Sequence, residues 1–336
     1  MRDDSAQAKR EGSRRHSVVS AGCSELIRRA AAYHPLYGDN LSNHLPMALI
    51  ALDRMGASHA RLEAFFAHYV PKLELRGAPA APTDPLQSLG VAADFEAVFA
   101  HFQKSVAERG ADAVLREWLP RLIPGVAASA FHAVIRLGYG LDAADDGEIC
   151  FGLADWVIEY QPLGSRGATT EQTLDEIAAT MSQSIAGHRF QPGIIVDRMA
   201  EVARMPVVRR SAAQPERLDL ADIARFAIRA YAAQEDFTLL HLVTGCHAFR
   251  KLAPYIDDVD NASRYLWQAV LTGFLSTGLP YKNLHAASTD ADWRTCLESA
   301  IRSDNDHTIK LIFTAWEEAT ATGDPLYLYV AARLAQ

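Results

Sequence analysis

Ala130-Phe-His-Ala-Val-Ile-Arg-Leu-Gly-Tyr-Gly-Leu141 decides the fold class. Wound as a helix, this stretch is apolar on nearly every side, so it belongs inside a core and not on a surface. Its polar residues, His132, Arg136 and Tyr139, fall on a single stripe at three- and four-residue spacing. The same spacing recurs outward in both directions, in 45–55, 62–69, 95–106, 111–119, 223–233 and 262–274. Gly56, Pro71, Pro120 with Pro124, Pro162, Pro192 and Pro280 punctuate these stretches as stops. No period-two strand stands out, and no Asn-Gly or Asp-Gly links strand-like runs. The segment 194–196 reads equally as a short strand or a helix start. The expectation is an all-α protein of about ten to fourteen helices, from average helix length.

Two stretches read as loops: 76–90, rich in Pro and Ala, and 206–219. The second could divide the chain into halves. Histidines of interest lie on both sides of it, so a single domain over 23–336 is expected, preceded by a disordered tail over 1–22 that carries Arg14, Arg15 and His16. No repeat of fixed period is present, which argues against a regular solenoid.

Of the 336 residues, 49% are apolar, enough to bury a core without disulfides or a structural metal. The formal net charge of −8 disfavours a general nucleic-acid binder, which would carry a basic stripe. Cys23, Cys150, Cys246 and Cys296 form no CxxC pair and read as reduced, buried thiols. No apolar run approaches the roughly 20 residues of a membrane span, and residues 1–20 lack the apolar segment of a signal peptide. The protein is therefore expected to be cytoplasmic, with neither membrane nor nucleic acid as a partner. Its oligomeric state is left open.

The chemistry rests on the twelve histidines. His59, His68 and His101 sit beside charged neighbours or at helix edges, as surface histidines do. His188 and His285 fall in loops and are weak candidates for substrate contact. His44 follows Ser42 and Asn43, which could cap a helix carrying His44 in its first turn, where Pro46 also fits. His132 lies on the core helix. His241 has apolar flanks, and Thr244, Gly245 and Ala248 on its face are small enough to leave room beside the imidazole. His247, six residues on, points elsewhere. Ser303 or Asp304 gives a helix start, and i, i+3 spacing then puts His307 and Lys310 on one face. Taken singly, each of these is more often a hydrogen-bonded core histidine. Several lone histidines on apolar helices are also how helical proteins build metal sites, and imidazole suits Fe, Zn, Cu and Ni alike. There is no HExxH, no cysteine ligand array, no GxGxxG after a strand, no GxSxG and no P-loop.

Four ordered blocks then carry a resemblance. They are Asn43-His-Leu-Pro-Met47 with a Leu-rich helix ending at Gly56-Ala57, Phe131 to Leu141, His241-Leu-Val-Thr-Gly245, and Asp306-His-Thr-Ile-Lys-Leu311. From about Tyr33 to the C-terminal helix the chain resembles the questin oxidase-like family of fungal anthraquinone and aromatic polyketide oxygenases and their bacterial relatives. The resemblance implies a single non-haem Fe(II) buried in the helical domain. His44, His132, His241 and His307 would be its ligands, with Lys310, carboxylated by CO2, as a fifth. Met47, Ala48 and Arg136 depart from the fungal pattern, where histidine is more frequent, and bear on the substrate and not on the ligands. Asn43, Arg136, Tyr139 and His247 are candidates for supporting the ligands or facing substrate.

The resemblance implies an O2-dependent oxygenase acting on a polycyclic aromatic, quinone or polyketide-like small molecule, by ring cleavage or Baeyer–Villiger-type oxygen insertion. NADPH is a candidate reductant, although no motif for binding it is present. Two alternatives stay open: a zinc-dependent hydrolase built on the same His-rich site, and a helical small-molecule-binding protein without catalysis.

Overall fold

The computed structural model describes residues 19–336. It is 67% helical with 4% strand, a single multi-helix domain. The expected 1–22 tail lies outside the described residues up to residue 18. Residues 21 and 22, assigned to it, instead open the first helix, Ala21–Ala30, which Ser20 caps by accepting from the Cys23 amide.

Among the described residues there are 16 α-helices, more than the ten to fourteen expected. The excess comes from short elements. Leu45–Arg54, Ile195–Arg204 and Trp293–Arg302 have ten residues each, and Pro206–Arg210 has five. The segment 194–196 is a helix start, with Ile194 as the N-cap. The 206–219 stretch is not a plain loop. It holds the Pro206–Arg210 helix and a strand, Ala212–Pro215, that pairs in parallel with Ala168–Thr170. A second small pairing, Leu36–Tyr37 with Leu41–Ser42, is an antiparallel hairpin just ahead of His44. Its tight turn uses positive φ at Gly38 and Asn40, residues that tolerate it. The 76–90 stretch is irregular apart from a single 3-10 turn, Pro85–Gln87.

The core helix of the opening segment runs His132–Ala143 and is buried along almost its whole length. Glycines let its neighbours come close. A Cβ on Gly152 of the helix Asp146–Ile158 would lie 2.8 Å from the Leu137 backbone, and one on Gly138 would lie 3.0 Å from Ala248 of the helix Phe237–Leu252. Leu45–Arg54 packs against both His132–Ala143 and Asp306–Thr322, and Phe237–Leu252 packs against the same two. Four helices thus close a circuit around one point. All four cysteines are free and buried. Among the described residues, no helix is long and apolar enough to cross a membrane.

Candidate metal centre

Each helix of that circuit brings a histidine to its N-terminal end. His44 is the N-cap of Leu45–Arg54, one position ahead of the first turn predicted for it. His132 opens its helix, His241 is on the second turn of Phe237–Leu252, and His307 is second in Asp306–Thr322. Asp306–Thr322 is capped by Asn305, whose Oδ1 accepts from the His307 and Thr308 amides, and not by Ser303 or Asp304. The four rings form a circuit of their own. Centroids are 4.6 Å apart for His44 and His132, 4.7 Å for His132 and His241, 5.4 Å for His241 and His307, and 4.7 Å for His307 and His44. Nitrogens of His44, His132 and His307 lie within 4.8 Å of one another.

The hydrogen bonds fix the tautomers. The Nδ1 of His132 meets the Ser129 carbonyl oxygen at 2.5 Å, and that of His241 meets the Phe237 carbonyl oxygen at 2.8 Å. The Nδ1 of His44 bonds one oxygen of Asp306, and the Nδ1 of His307 faces the other at 3.3 Å. Carbonyl and carboxylate oxygens only accept, so every Nδ1 must donate and every neutral ring keeps its lone pair on Nε2. All four Nε2 atoms are buried with no hydrogen-bond partner. Lone pairs gathered without a donor repel one another, and a divalent cation between them would resolve the conflict; nitrogens of His44, His132 and His307 are close enough to share one ion, and the His241 ring lies 4.7 Å from that of His132. Anchoring of the far ring nitrogen by carbonyl or carboxylate is also how metal-binding imidazoles are oriented. The residues present therefore fit a metal ion.

The electrostatics keep the lone pairs available. Burial, reinforced by the charge of Lys310, lowers the His44 pKa to about 3. Burial also holds His132 and His241 well below the ordinary value and lowers His307. The positive ends of four helix dipoles act in the same direction. Burial would raise the Asp306 carboxyl, but the hydrogen bonds from His307 and His44 outweigh it and hold the group far down in the ionised range. Lys310, one turn beyond His307, is 1% exposed, and burial lowers its pKa to about 8. Its charge lowers the pKa of all four imidazoles.

A family model described as Questin oxidase-like matches residues 41–315, well over half of the chain and inclusive of all four histidines and Lys310. The chain belongs to the questin oxidase-like family. That description points to oxidoreduction as the class of activity. No curated protein matches the sequence.

In this questin oxidase-like chain, a cavity of about 800 Å³ reaches His44, His132, His241 and His307 from the surface. The hairpin before His44 forms one wall, and the start of Ile195–Arg204 forms another. Phe237 stands at the rings, its centroid 4.8 Å from His241 and 4.7 Å from His307. Ser129, Ala130 and Phe131, none of them glycine, have φ of 50°, 52° and 71°. Left-handed backbone costs roughly 1–2 kcal/mol per such residue, and here it turns the Ser129 carbonyl back toward His132.

Of the supporting candidates, Asn43 does set His44. Its Oδ1 accepts from the Leu45 amide and its Nδ2 donates to the His34 carbonyl, fixing the chain on both sides of that histidine. Arg136, Tyr139 and His247 do not line the cavity. Arg136 is locked to Glu148 through Nε–Oε2 at 2.9 Å and Nη2–Oε1 at 3.0 Å. Tyr139 packs on Phe313. His247 bonds Glu318 at 2.6 Å, within a network where Lys251 and Arg54 neutralise Asp142 and Glu317. Two cations already inside that cluster leave it no need of a metal. The small residues beside His241 serve packing and not the cavity: a Cβ on Gly245 would meet the Phe131 ring at 2.8 Å.

Sequence reasoning missed Asp306, Ser129 and Phe237. Asp306 stood beside His307 in a motif already singled out, but it reads as an ordinary first-turn acid. The other two act through backbone carbonyls, which no side-chain pattern marks.

Proposed function

We propose that this chain is a non-haem iron, O2-dependent oxygenase acting on a polycyclic aromatic, quinone or polyketide-like substrate. The observation that carries the reading is the convergence of four anchored imidazoles, each with an unpartnered Nε2, at the inner end of an open cavity. Membership of a family described as questin oxidase-like supports the class of reaction.

His44, His132, His241 and His307 would hold the ion, and bound iron would supply the redox chemistry that couples O2 to oxidation of the substrate. Asp306 and the Ser129 and Phe237 carbonyls keep the rings in the ligating tautomer. Phe237, its ring against His241 and His307, and Leu41 in the same lining offer apolar surface to a ring system. Lys310 is held where a sizeable fraction is the neutral amine near pH 8. That amine can attack CO2, forming an N–C bond and releasing a proton, and the resulting carbamate offers an anionic oxygen as a fifth ligand. Four helix N-termini directed at the site favour that negative charge.

Two outcomes differ in electron balance. Ring cleavage places both atoms of O2 in the product and needs no external reductant. A Baeyer–Villiger-type insertion places one, and the other leaves as water at the cost of two electrons and two protons from a donor such as NADPH.

The test is to load the purified chain anaerobically with Fe(II), then follow O2 uptake over a panel of hydroxylated anthraquinones, with and without NADPH. Substrate-dependent uptake by the iron form and none by a zinc form supports the reading. Turnover that is independent of O2 and highest with zinc would replace it with the hydrolase.

A further inference from the structure

The cavity carries a charge pattern that the metal site does not use. Arg198 lines it, and its Nε is shut away from solvent with no hydrogen-bond partner. Among the described residues, Arg198 forms no ion pair and its guanidinium appears in no hydrogen bond. A half-buried guanidinium without an acceptor is uncommon, because each unpaired N–H forfeits hydration. Lys72, also in the lining but exposed, rests its Nζ 4.7 Å from the Tyr69 ring centroid and has no acidic partner among the described residues.

Carboxylates in the same lining are mostly committed elsewhere. Asp197 accepts from the Ile194 amide, Asp236 from the Thr238 and Leu239 amides, and Asp306 holds two imidazoles. Burial raises the pKa of the Glu159 carboxyl. Asp39 is exposed on the hairpin.

The apolar part of the lining is equally marked. Among the described residues seven large hydrophobic side chains are exposed, and three of them, Phe237 (56% exposed), Leu41 (48%) and Ile194 (37%), belong to this cavity. Clustered exposed apolar side chains at a concave site mark a ligand surface.

We infer that the substrate is a planar aromatic bearing an anionic oxygen, a carboxylate or an ionised phenol, with Arg198 pairing to that oxygen and Phe237 lying against the ring. The guanidinium fork suits such an oxygen, and the bond is charge-assisted. This inference rests on the cavity being the substrate site of the proposed oxygenase.

The test uses the metal-loaded full chain and two probes of one shape, anthraquinone-2-carboxylate and anthraquinone-2-carboxamide, with binding read from quenching of intrinsic fluorescence. Wild type should bind the carboxylate roughly 10- to 100-fold more tightly than the amide. Arg198→Gln should erase that preference while leaving affinity for the amide and the metal content unchanged. A second arm follows the visible spectrum of 1,2-dihydroxyanthraquinone. A red shift to the phenolate form on binding to wild type, lost in Arg198→Gln, identifies an ionised phenol as the group taken. Dependence on Arg198 in either arm supports the inference. Equal affinities in wild type, or a preference that survives in Arg198→Gln, together with an unaltered spectral arm, overturns it and leaves the oxygenase reading standing. Failure of every probe to bind overturns both.

Discussion

Asp306 is the residue whose replacement tests the architecture of the centre most sharply, because one carboxylate serves two imidazoles. One oxygen takes the His44 Nδ1 proton and the other faces His307 Nδ1 at 3.3 Å. Removing one outer partner of a metal ligand typically weakens binding 10- to 100-fold. Asp306→Ala removes two, so a loss of roughly 10²- to 10⁴-fold is expected, about 3–5 kcal/mol. Asp306→Asn should fall between. Its amide oxygen can accept from one ring only, while its NH2 donates to the Nδ1 of the other and forces that ring's proton onto Nε2. One ligand is then in the wrong tautomer, and the expected loss is about 10- to 100-fold. The assay is anaerobic Fe(II) titration against a chromogenic chelator, with far-ultraviolet circular dichroism as the control for folding. In an Asp306→Ala background, a further His307→Ala change should cost less than it does in wild type, since the two share one function. A folded Asp306→Ala protein that binds Fe(II) within threefold of wild type would refute the assigned role.

Other expectations are independent of that one. Lys310→Ala should lower turnover and abolish stimulation by bicarbonate, and equal rates for both proteins with and without bicarbonate would remove the carbamate from the account. Asp155 is 2% exposed, and burial pushes its carboxyl from the ordinary 3.8 up to about 7. The native state therefore keeps a proton that the unfolded chain has released, and the stability this gives is lost as pH rises toward 7. Between pH 5 and 8 the loss from this group is on the order of 3 kcal/mol, so the urea midpoint of Asp155→Asn should exceed that of wild type at pH 8 and fall less between the two pH values. Gly152→Ala gains up to ~1 kcal/mol of helix propensity. It also sets a methyl 2.8 Å from backbone atoms of Leu137 that cannot rotate away; a net destabilisation of about 2 kcal/mol by chemical denaturation is expected, and an unchanged midpoint would mean that the two helices are not so closely held.

How much of this could be read from the chain alone depends on the kind of interaction. The buried helix at His132 was legible because apolar residues on every face have a single physical solution. The four histidines stood out singly for the same reason, as polar residues in apolar helices, and it took ordered motifs to choose among them. Their meeting point was not legible. It depends on which helix ends pack together, and those contacts join residues 44 and 307. Arg136 stood as a candidate for the site because its partner, Glu148, lies on the next helix, where no spacing rule pairs the two. The left-handed run at Ser129, Ala130 and Phe131 carries no glycine to betray it. The helix count came out low because short helices sheltered by tertiary packing need not reach the average length. Arg198 gave no signal at all, since an unpaired arginine is recognisable only once its surroundings are known.

We propose that His44, His132, His241 and His307 hold one iron. A crystal structure with anomalous data collected on both sides of the iron edge tests it most directly. One iron peak per chain at coordination distance from all four Nε2 atoms is the predicted result, with density for a carbamate on Lys310 if that group is the fifth ligand. Zinc in that position, a peak at Asp142, His247 and Glu317 instead, or no anomalous scatterer in protein reconstituted with Fe(II) would contradict it.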